Sequence, residues 1–143
     1  MPGGVGNDIV TVSRIAALIR DRGVAFLERW FTAGEIDYCL SKAVPSRHFA
    51  ARFAAKEAVV KALPVAWDGP LPWRSIEIAN DQRGVPSVSL SGAVLDAATR
   101  AGVARISVSL SHCDEYATAI ALVAVTTDQA TTAEPERRRE VGS

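Results

Sequence analysis

The sequence predicts an α+β domain in which a small antiparallel sheet packs against helices. Apolar and polar residues alternate around Ile76 and Ile78, and again in the last third of the chain, which is typical of strands with one buried face. Turn residues separate successive strand-like segments, so these strands are expected to run antiparallel. Helical spacing of apolar residues dominates the first half of the chain, and this partial segregation is typical of the α+β class.

The first elements each have a recognisable start or stop. A strand is predicted at 5–10, and a helix follows over 11–22, where apolar residues lie three and four apart until Gly23. Thr32 and Glu35 have the spacing of a capping box, in which each residue bonds to the backbone of the other, so a second helix is predicted to begin there.

A third helix is predicted from Pro45 to Leu63, because Pro64 disfavours helical geometry in the residue before it. A loop rich in Pro and Gly follows. The remaining elements are predicted as strands at 74–79 and 85–90 with a turn at 80–84 between them, a helix at 92–100, and strands at 105–112 and 116–125.

Length and composition indicate one domain followed by a tail. The 143 residues suffice for a single domain with its own core. The composition changes after Val125, where Thr, Glu and Arg replace almost every large apolar residue. Such a segment cannot bury enough surface to offset the entropy of ordering it. We therefore predict a domain at 1–125 and a disordered C-terminal tail at 126–143.

Composition also excludes several kinds of function. Sixteen basic and sixteen acidic residues give no net charge, which argues against a general nucleic-acid-binding protein. The longest apolar run, 117–125, is about half the length of a membrane-spanning helix, and no signal peptide is visible. Cys39 and Cys113 lack the spacing of a zinc or redox site. We expect a cytoplasmic protein without a membrane or nucleic-acid partner.

The third helix carries the strongest chemical signal. Its large apolar residues fall within one narrow arc, made of Phe49, Phe53, Val60 and Leu63. Lys56 lies in the middle of this arc and Arg52 at its edge. Since a buried cation without a partner is too costly for a core, either the arc faces something anionic or both side chains extend past the phenylalanines into solvent. Glu57 and Lys61, on the flank, have the spacing of a surface ion pair.

Asp8 interrupts the apolar first strand and has two interpretations. It is either a turn or edge residue that bonds to its own backbone, or one ligand of a hard-metal site. Mg²⁺ is commonly held by one or two carboxylates together with substrate phosphates. Asp8 and Glu57, with the cations of the third helix, provide the groups that a magnesium-diphosphate site needs.

Two further features also leave alternatives open. His112 ends a strand in phase with its apolar residues, so it is either a packed edge histidine or a ligand-binding residue. On the first helix, Arg14, Leu18 and Arg22 lie one turn apart. They form either a solvated face or a stripe that docks an acidic partner helix, in which charge guides the encounter and the leucine anchors it.

Short motifs in chain order carry a resemblance to a known family. They are Val5-Gly6-Asn7-Asp8-Ile9-Val10, Arg29-Trp30-Phe31-Thr32 with Glu35, Arg52-Phe53-Ala54-Ala55-Lys56-Glu57-Ala58 with Lys61-Ala62, Ile76-Glu77-Ile78, Gly84-Val85-Pro86, and Ser109-Leu110-Ser111-His112. The sequence resembles the holo-[acyl-carrier-protein] synthases, the short group of 4′-phosphopantetheinyl transferases. The resemblance spans about 5–125, and its most specific part is the run 52–58 with a second lysine four residues after the glutamate.

The resemblance implies an enzyme that moves the phosphopantetheine arm of coenzyme A onto a serine of an apo acyl carrier protein and releases adenosine 3′,5′-bisphosphate. Asp8 and Glu57 match the family's Mg²⁺ ligands, and Glu57, or a water that it holds, is the candidate base for the serine. Lys61 matches the lysine expected to neutralise charge on the diphosphate or the leaving group.

The resemblance also implies contacts beyond the metal. The residues at positions that would contact coenzyme A phosphates are Arg52, Lys56 and His112. Arg14 matches an arginine used for docking the acidic carrier, and Leu18 and Arg22 continue that stripe. The family is typically a homotrimer with its sites at subunit boundaries, so the same assembly is expected for this chain.

Three departures from the family pattern are visible. Pro64-Val65-Ala66 replaces a small Gly-Thr-Gly-like loop, Ala51 stands where glycine is common, and Cys113 follows the histidine where some members have an acid. The competing hypothesis is a non-catalytic module of the same fold that binds coenzyme A or carrier protein without turnover. The complete set of carboxylates and lysines weighs against it, because a decayed site usually loses a ligand.

Overall fold

A computed structural model describes residues 3–126. Apart from Thr126, the predicted C-terminal tail lies outside the described residues. The described part contains five α-helices and two antiparallel sheets, which confirms the predicted α+β class. No helix in this part is long and apolar enough to cross a membrane.

The long helix α4 (Pro45–Ala62) is the central element. It packs on one face of a three-stranded sheet whose order is β1 (Val5–Thr11), β5 (Tyr116–Val125) and β4 (Val103–His112). The side chains that meet are mostly small. Buried alanines of α4 face a row on β5 made of Ala117, Ala119, Ala121 and Val123. Small residues on both surfaces let the helix lie close to the sheet.

Strand β1 approaches α4 more closely than a side chain would permit. A Cβ atom at Gly6 would lie 2.0 Å from the carbonyl oxygen of Ala58, and one at Gly4 would lie 1.9 Å from that of Ala62. Both distances are far below van der Waals contact, so only glycine fits. This contact fixes where β1 sits along the helix, and it places Asp8 beside the last turns of α4.

Helices α1 (Val12–Arg22) and α2 (Val24–Trp30) are separated only by Gly23, whose φ of 56° lies in the left-handed region that favours glycine. Helix α1 agrees with the prediction. Helix α2 is absent from the sequence-based prediction. It has only seven residues, and no side chain caps its start, so neither periodicity nor a capping signal marks it.

Helix α3 (Ala33–Leu40) begins at the predicted capping box. The hydroxyl of Thr32 accepts a hydrogen bond from the Glu35 N–H at 3.2 Å, and the Glu35 carboxylate accepts one from the Thr32 N–H at 2.9 Å. The later elements are a short 3-10 helix at Trp73–Ser75, β2 (Ile76–Asn80), β3 (Pro86–Leu90) and α5 (Gly92–Arg100). The β2–β3 hairpin pairs only with itself, so the strands form two sheets.

Candidate active site

The contact between β1 and α4 brings together three of the predicted site residues. Asp8 lies in the middle of β1, and Lys61 lies in the last turn of α4. The Lys61 ammonium donates to the Asp8 carboxylate at 3.1 Å and to the carbonyl of Asn7 at 3.0 Å. Asp8 is therefore neither a turn residue nor bonded to its own backbone. It is an acid on an edge strand that faces the helix.

Glu57 lies next to this pair, and its electrostatics show which charges surround it. Partial burial raises the pKa of Glu57, and the negative charge of Asp8 raises that pKa further. Lys61 and Arg14 act in the opposite direction. Within the described part of the chain, Glu57 forms no ion pair, because Lys61 bonds to Asp8 instead. The interpretation of Glu57 and Lys61 as a surface ion pair is therefore wrong.

Two adjacent carboxylates with an exposed lysine fit a divalent cation shared with a substrate. Besides burial, repulsion from Asp8 raises the pKa of Glu57, and a cation between the two acids would relieve that repulsion. Among the residues described, no group of three or more His, Cys, Asp or Glu could hold a metal by itself. The donor set thus resembles that of Mg²⁺ sites in which substrate phosphates and water complete the coordination.

Lys56 occupies a different environment. Its side chain is completely buried, and its ammonium donates to the Glu35 carboxylate at 2.7 Å and to the carbonyls of Trp73 and Ile76 at 3.0 and 2.6 Å. Burial lowers the pKa of Lys56, and Glu35 opposes that shift. The apolar arc does face an anion, but that anion is Glu35 of the same chain.

This placement corrects the expectation that Lys56 contacts a coenzyme A phosphate. All three N–H donors of its ammonium are used inside the chain, and no surface remains for a ligand. The sequence indicated Glu35 as a capping residue and as part of a family motif, but not as the partner of a buried lysine. Its second oxygen also accepts from the Ile78 N–H at 3.1 Å, so one buried carboxylate connects α3, α4 and β2.

Arg52 and His112 belong to a second cluster, towards the start of α4, in which Tyr38 and His48 link them. Arg52 is buried, donates to the Asn80 side chain at 2.6 Å, and lies over the ring of Tyr38 at 4.0 Å. Its Nε atom has no partner among the described residues. His112 is exposed at the end of β4, and its ring contacts that of His48. His48, Tyr38 and Asn80 belong to this cluster and were not singled out by the sequence.

The two clusters lie on opposite sides of α4. At about 100° per residue, Glu57 is rotated by roughly 140° from Arg52 and by roughly 180° from His48 around the helix axis. Along the axis, His48 and Glu57 are about 13 Å apart, from a rise of about 1.5 Å per residue. One chain therefore presents its carboxylates and its basic cluster to different surroundings.

The predicted docking stripe lines a groove between α1 and α2. Arg14, Leu18 and Arg22 border a depression of about 710 Å³, whose other lining residues are Ala25, Phe26, Arg29, Trp30 and Phe53. The guanidinium of Arg14 lies 5.9 Å from the centre of the Phe53 ring. Arg29 adds a third cation that the stripe did not include. Arg14 also lowers the pKa of Glu57, so its charge acts on both the groove and the carboxylates.

Comparison with known proteins identifies the class of protein to which this fold and site belong. The family description of the 4′-phosphopantetheinyl transferase superfamily matches residues 4–121, so the chain belongs to this superfamily. Similar curated proteins are holo-[acyl-carrier-protein] synthases. That of Protochlamydia amoebophila is 44% identical over 119 residues, which are 83% of this chain and 95% of the relative. That of Moorella thermoacetica is 47% identical over 118 residues, or 82% and 91%.

Solved structures agree with this family membership. The holo-[acyl-carrier-protein] synthase of Neisseria meningitidis superimposes with a TM-score of 0.77 at 32% identity, covering 86% of this chain and 98% of that one. The enzyme of Helicobacter pylori, solved in complex with coenzyme A, gives a TM-score of 0.72 at 32% identity, covering 84% and 99%. The fold implied by the sequence resemblance is thereby confirmed.

Proposed function

We propose that this chain is a magnesium-dependent holo-[acyl-carrier-protein] synthase. It transfers the 4′-phosphopantetheine group of coenzyme A to a serine of an apo acyl carrier protein and releases adenosine 3′,5′-bisphosphate. The observation that carries the proposal is the convergence of Asp8, Glu57 and Lys61 at the β1–α4 contact. We place the reaction in the cytoplasm, where it would supply carriers for fatty acid biosynthesis.

Asp8 and Glu57 are the residues that would hold Mg²⁺ together with the coenzyme A diphosphate. When bound, the cation neutralises charge on the diphosphate and makes it a better electrophile. Lys61 is half-exposed beside the same carboxylates, so its ammonium can turn from Asp8 towards a phosphate oxygen. Charge neutralisation and positioning are what phosphoryl-type transfer mainly requires.

The proposed transfer step follows from this arrangement. The serine oxygen of the carrier forms a bond to the phosphorus that bears pantetheine, and the bond from that phosphorus to the bridging oxygen breaks. The electron pair leaves with the bridging oxygen on adenosine 3′,5′-bisphosphate, next to Lys61. The serine proton passes to Glu57, directly or through a water that it holds.

Arg52 and His112 are the proposed contacts to the other coenzyme A phosphates. Arg52 is a buried guanidinium that forms no ion pair within the described residues, and its Nε atom is unpartnered there. An unbalanced buried cation is costly unless an anion completes its surroundings. His112 stands at the edge of the same cluster, where a ligand has access.

A homotrimer explains how one coenzyme A could reach both clusters. Within one chain they lie on opposite sides of α4, so a composite site would combine the carboxylates of one subunit with the basic cluster of another. The outer face of the three-stranded sheet supports self-association. It carries Val5, Ile9, Ile120 and Leu122, which are between 44% and 63% exposed. Monomers rarely leave such an apolar surface uncovered.

The groove between α1 and α2 is the proposed docking site of the acyl carrier protein. Arg14 and Arg22 supply positive charge, and Leu18 adds an apolar contact between them. Acidic helices bind such surfaces because charge guides the encounter and apolar contacts slow dissociation. Since Arg14 also influences Glu57, a carrier bound here would bring its serine towards the base.

The competing function is a non-catalytic module that binds coenzyme A or a carrier without turnover. Intact-mass spectrometry separates the two hypotheses. An apo acyl carrier protein is incubated with this protein and coenzyme A, with and without Mg²⁺. We expect the carrier to gain the mass of one phosphopantetheine only when the metal is present. Coenzyme A binding without any mass gain, across fatty-acid and polyketide carriers, would favour the non-catalytic module.

A further inference from the structure

The start of α4 holds a histidine that the proposed mechanism does not use. The ring centre of His48 lies 5.0 Å from that of His112, at an angle of 67°, and 6.1 Å from the ring centre of Tyr38. His48 is half-buried, while His112 is exposed. Neither imidazole forms a hydrogen bond with another described residue. Both rings therefore keep nitrogen atoms available for a ligand.

Positive charge around the two imidazoles is poorly balanced. Arg52 and Lys42 lie 4.0 and 4.5 Å from the centre of the Tyr38 ring. Neither cation forms an ion pair with a residue that the structure describes. Among the described residues, the carboxylate that pairs with a cation here is Asp114, which bonds to Arg47 at 2.6 Å. A cluster with this excess of cations favours an anionic ligand.

We propose that His48 is a phosphate-binding residue of this chain, and that it takes up a proton when the phosphate monoester of coenzyme A binds beside the paired rings of His48 and His112. The inference rests on the proposed function, because it takes coenzyme A as the ligand. A phosphate monoester carries a charge of about −1.5 to −2 at pH 7. This is more than one phosphorus of the diphosphate can carry, and it matches a site with two permanent cations and two imidazoles.

The surroundings of His48 make its protonation depend on the ligand. The titratable and charged groups that face it from α3, α4, the loop between them and the β4–β5 hairpin are Tyr38, Lys42, Arg47, Arg52, His112 and Asp114. Burial lowers the pKa of His48, and the positive charges of the cluster lower it further. A bound dianion reverses the local potential, so the imidazolium becomes stable and one proton is taken from solution.

The chain contains only two histidines, which makes the test direct. The full-length protein is labelled at histidine, and both imidazoles are titrated by NMR, alone and with saturating coenzyme A or dephospho-coenzyme A. The His48→Gln variant assigns the signals. We expect coenzyme A to raise the pKa of His48 by at least about one pH unit. Dephospho-coenzyme A, which lacks the monoester, should leave that pKa close to its value in the free protein.

A binding measurement extends this test. In His48→Gln, coenzyme A affinity should fall by roughly tenfold at pH 6, where a charge-assisted hydrogen bond is lost, and by much less at pH 8.5. If coenzyme A binds but the pKa of His48 stays unchanged in the wild-type protein, the inference is wrong while the proposed function stands. An equal rise with dephospho-coenzyme A would overturn the assignment to the monoester. Absence of any coenzyme A binding would count against the proposed function itself.

Discussion

Lys56 and Lys61 lie five residues apart on α4, yet their surroundings differ completely. The Lys56 ammonium is fully buried, and Glu35 with two backbone carbonyls uses all of its donors. The Lys61 side chain is half-exposed and pairs with Asp8, where β1 packs against the last turn of α4. The first lysine connects secondary-structure elements, while the second is available to a ligand.

The difference shows that residue type and helical position do not determine the role of a charged side chain. What decides it is the element that packs over each face. Helix α3, the 3-10 helix and β2 provide the acceptors of Lys56, whereas Lys61 bonds to Asn7 and Asp8 of β1. The motif Lys56-Glu57 with Lys61 therefore combines one residue that stabilises the fold with two that can contact a ligand.

The largest effect on the transfer rate should come from removing the Glu57 carboxylate. Glu57→Ala is expected to lower the transfer rate by about a thousandfold or more, because a metal ligand and the base are lost together. The melting temperature should hardly change, since Glu57 forms no ion pair among the described residues. Asp96→Ala, which removes an exposed carboxylate from α5, is the matched control. Near-normal turnover by Glu57→Ala would remove Glu57 from the mechanism.

Removing the buried lysine should instead affect stability. Lys56→Met leaves the Glu35 carboxylate buried without its cation, which is expected to lower the free energy of unfolding by about 3–5 kcal/mol. Urea denaturation at a fixed chain concentration measures this loss. The double variant Glu35→Gln with Lys56→Met should be more stable than Lys56→Met alone, because no unpaired charge remains. If the double variant loses the sum of the two single effects, the ion pair is not the cause.

The next largest effect is expected from a substitution in the groove between α1 and α2. Arg14→Glu is expected to raise the KM for the carrier protein by roughly tenfold, with little change in the KM for coenzyme A, because it reverses a charge that an acidic partner meets. Arg20→Glu changes the same charge on the same helix outside the groove lining, so it should have little effect. Steady-state kinetics with each substrate varied in turn decides this. Equal changes for both substrates would contradict the docking assignment.

The smallest expected effect is a difference in labelling between a buried and an exposed thiol. Burial raises the pKa of Cys39 to about 12, so this thiol stays protonated and inaccessible at pH 8, whereas Cys113 is exposed. A thiol reagent should add one label to the native protein and two to the denatured protein, as read by mass spectrometry. Rapid addition of two labels to the native protein would show that the core around Lys56 opens easily.

The sequence predicted most of the fold because its signals were local. The capping box at Thr32 and Glu35, the proline after α4 and the turn at 80–84 marked elements that the structure contains. Helix α2 escaped because it is short and lacks a capping side chain. The two-sheet arrangement also depends on how distant strands pair, and local signals carry no information on that pairing.

The sequence predicted the site residues that lie within its motifs, but not the partners that other elements of the fold bring to them. Asp8, Glu57 and Lys61 meet because two glycines allow β1 to approach α4, and those glycines are visible in the sequence. The partner of Lys56 could not be read in the same way, because Glu35 lies on another helix and its second role depends on β2. His48 carried no signal of its own until its contact with His112 was known.

One measurement tests the distinction between the two lysines most directly. The phosphopantetheine transfer rates of Lys56→Met and Lys61→Met are compared in one intact-mass assay, at a temperature where both variants are folded. We predict that Lys61→Met loses transfer by about a hundredfold, while folded Lys56→Met stays within about tenfold of the wild-type rate. The reverse order, with Lys56→Met inactive and Lys61→Met nearly normal, would contradict the account. It would mean that Lys56 takes part in the transfer and that Lys61 does not.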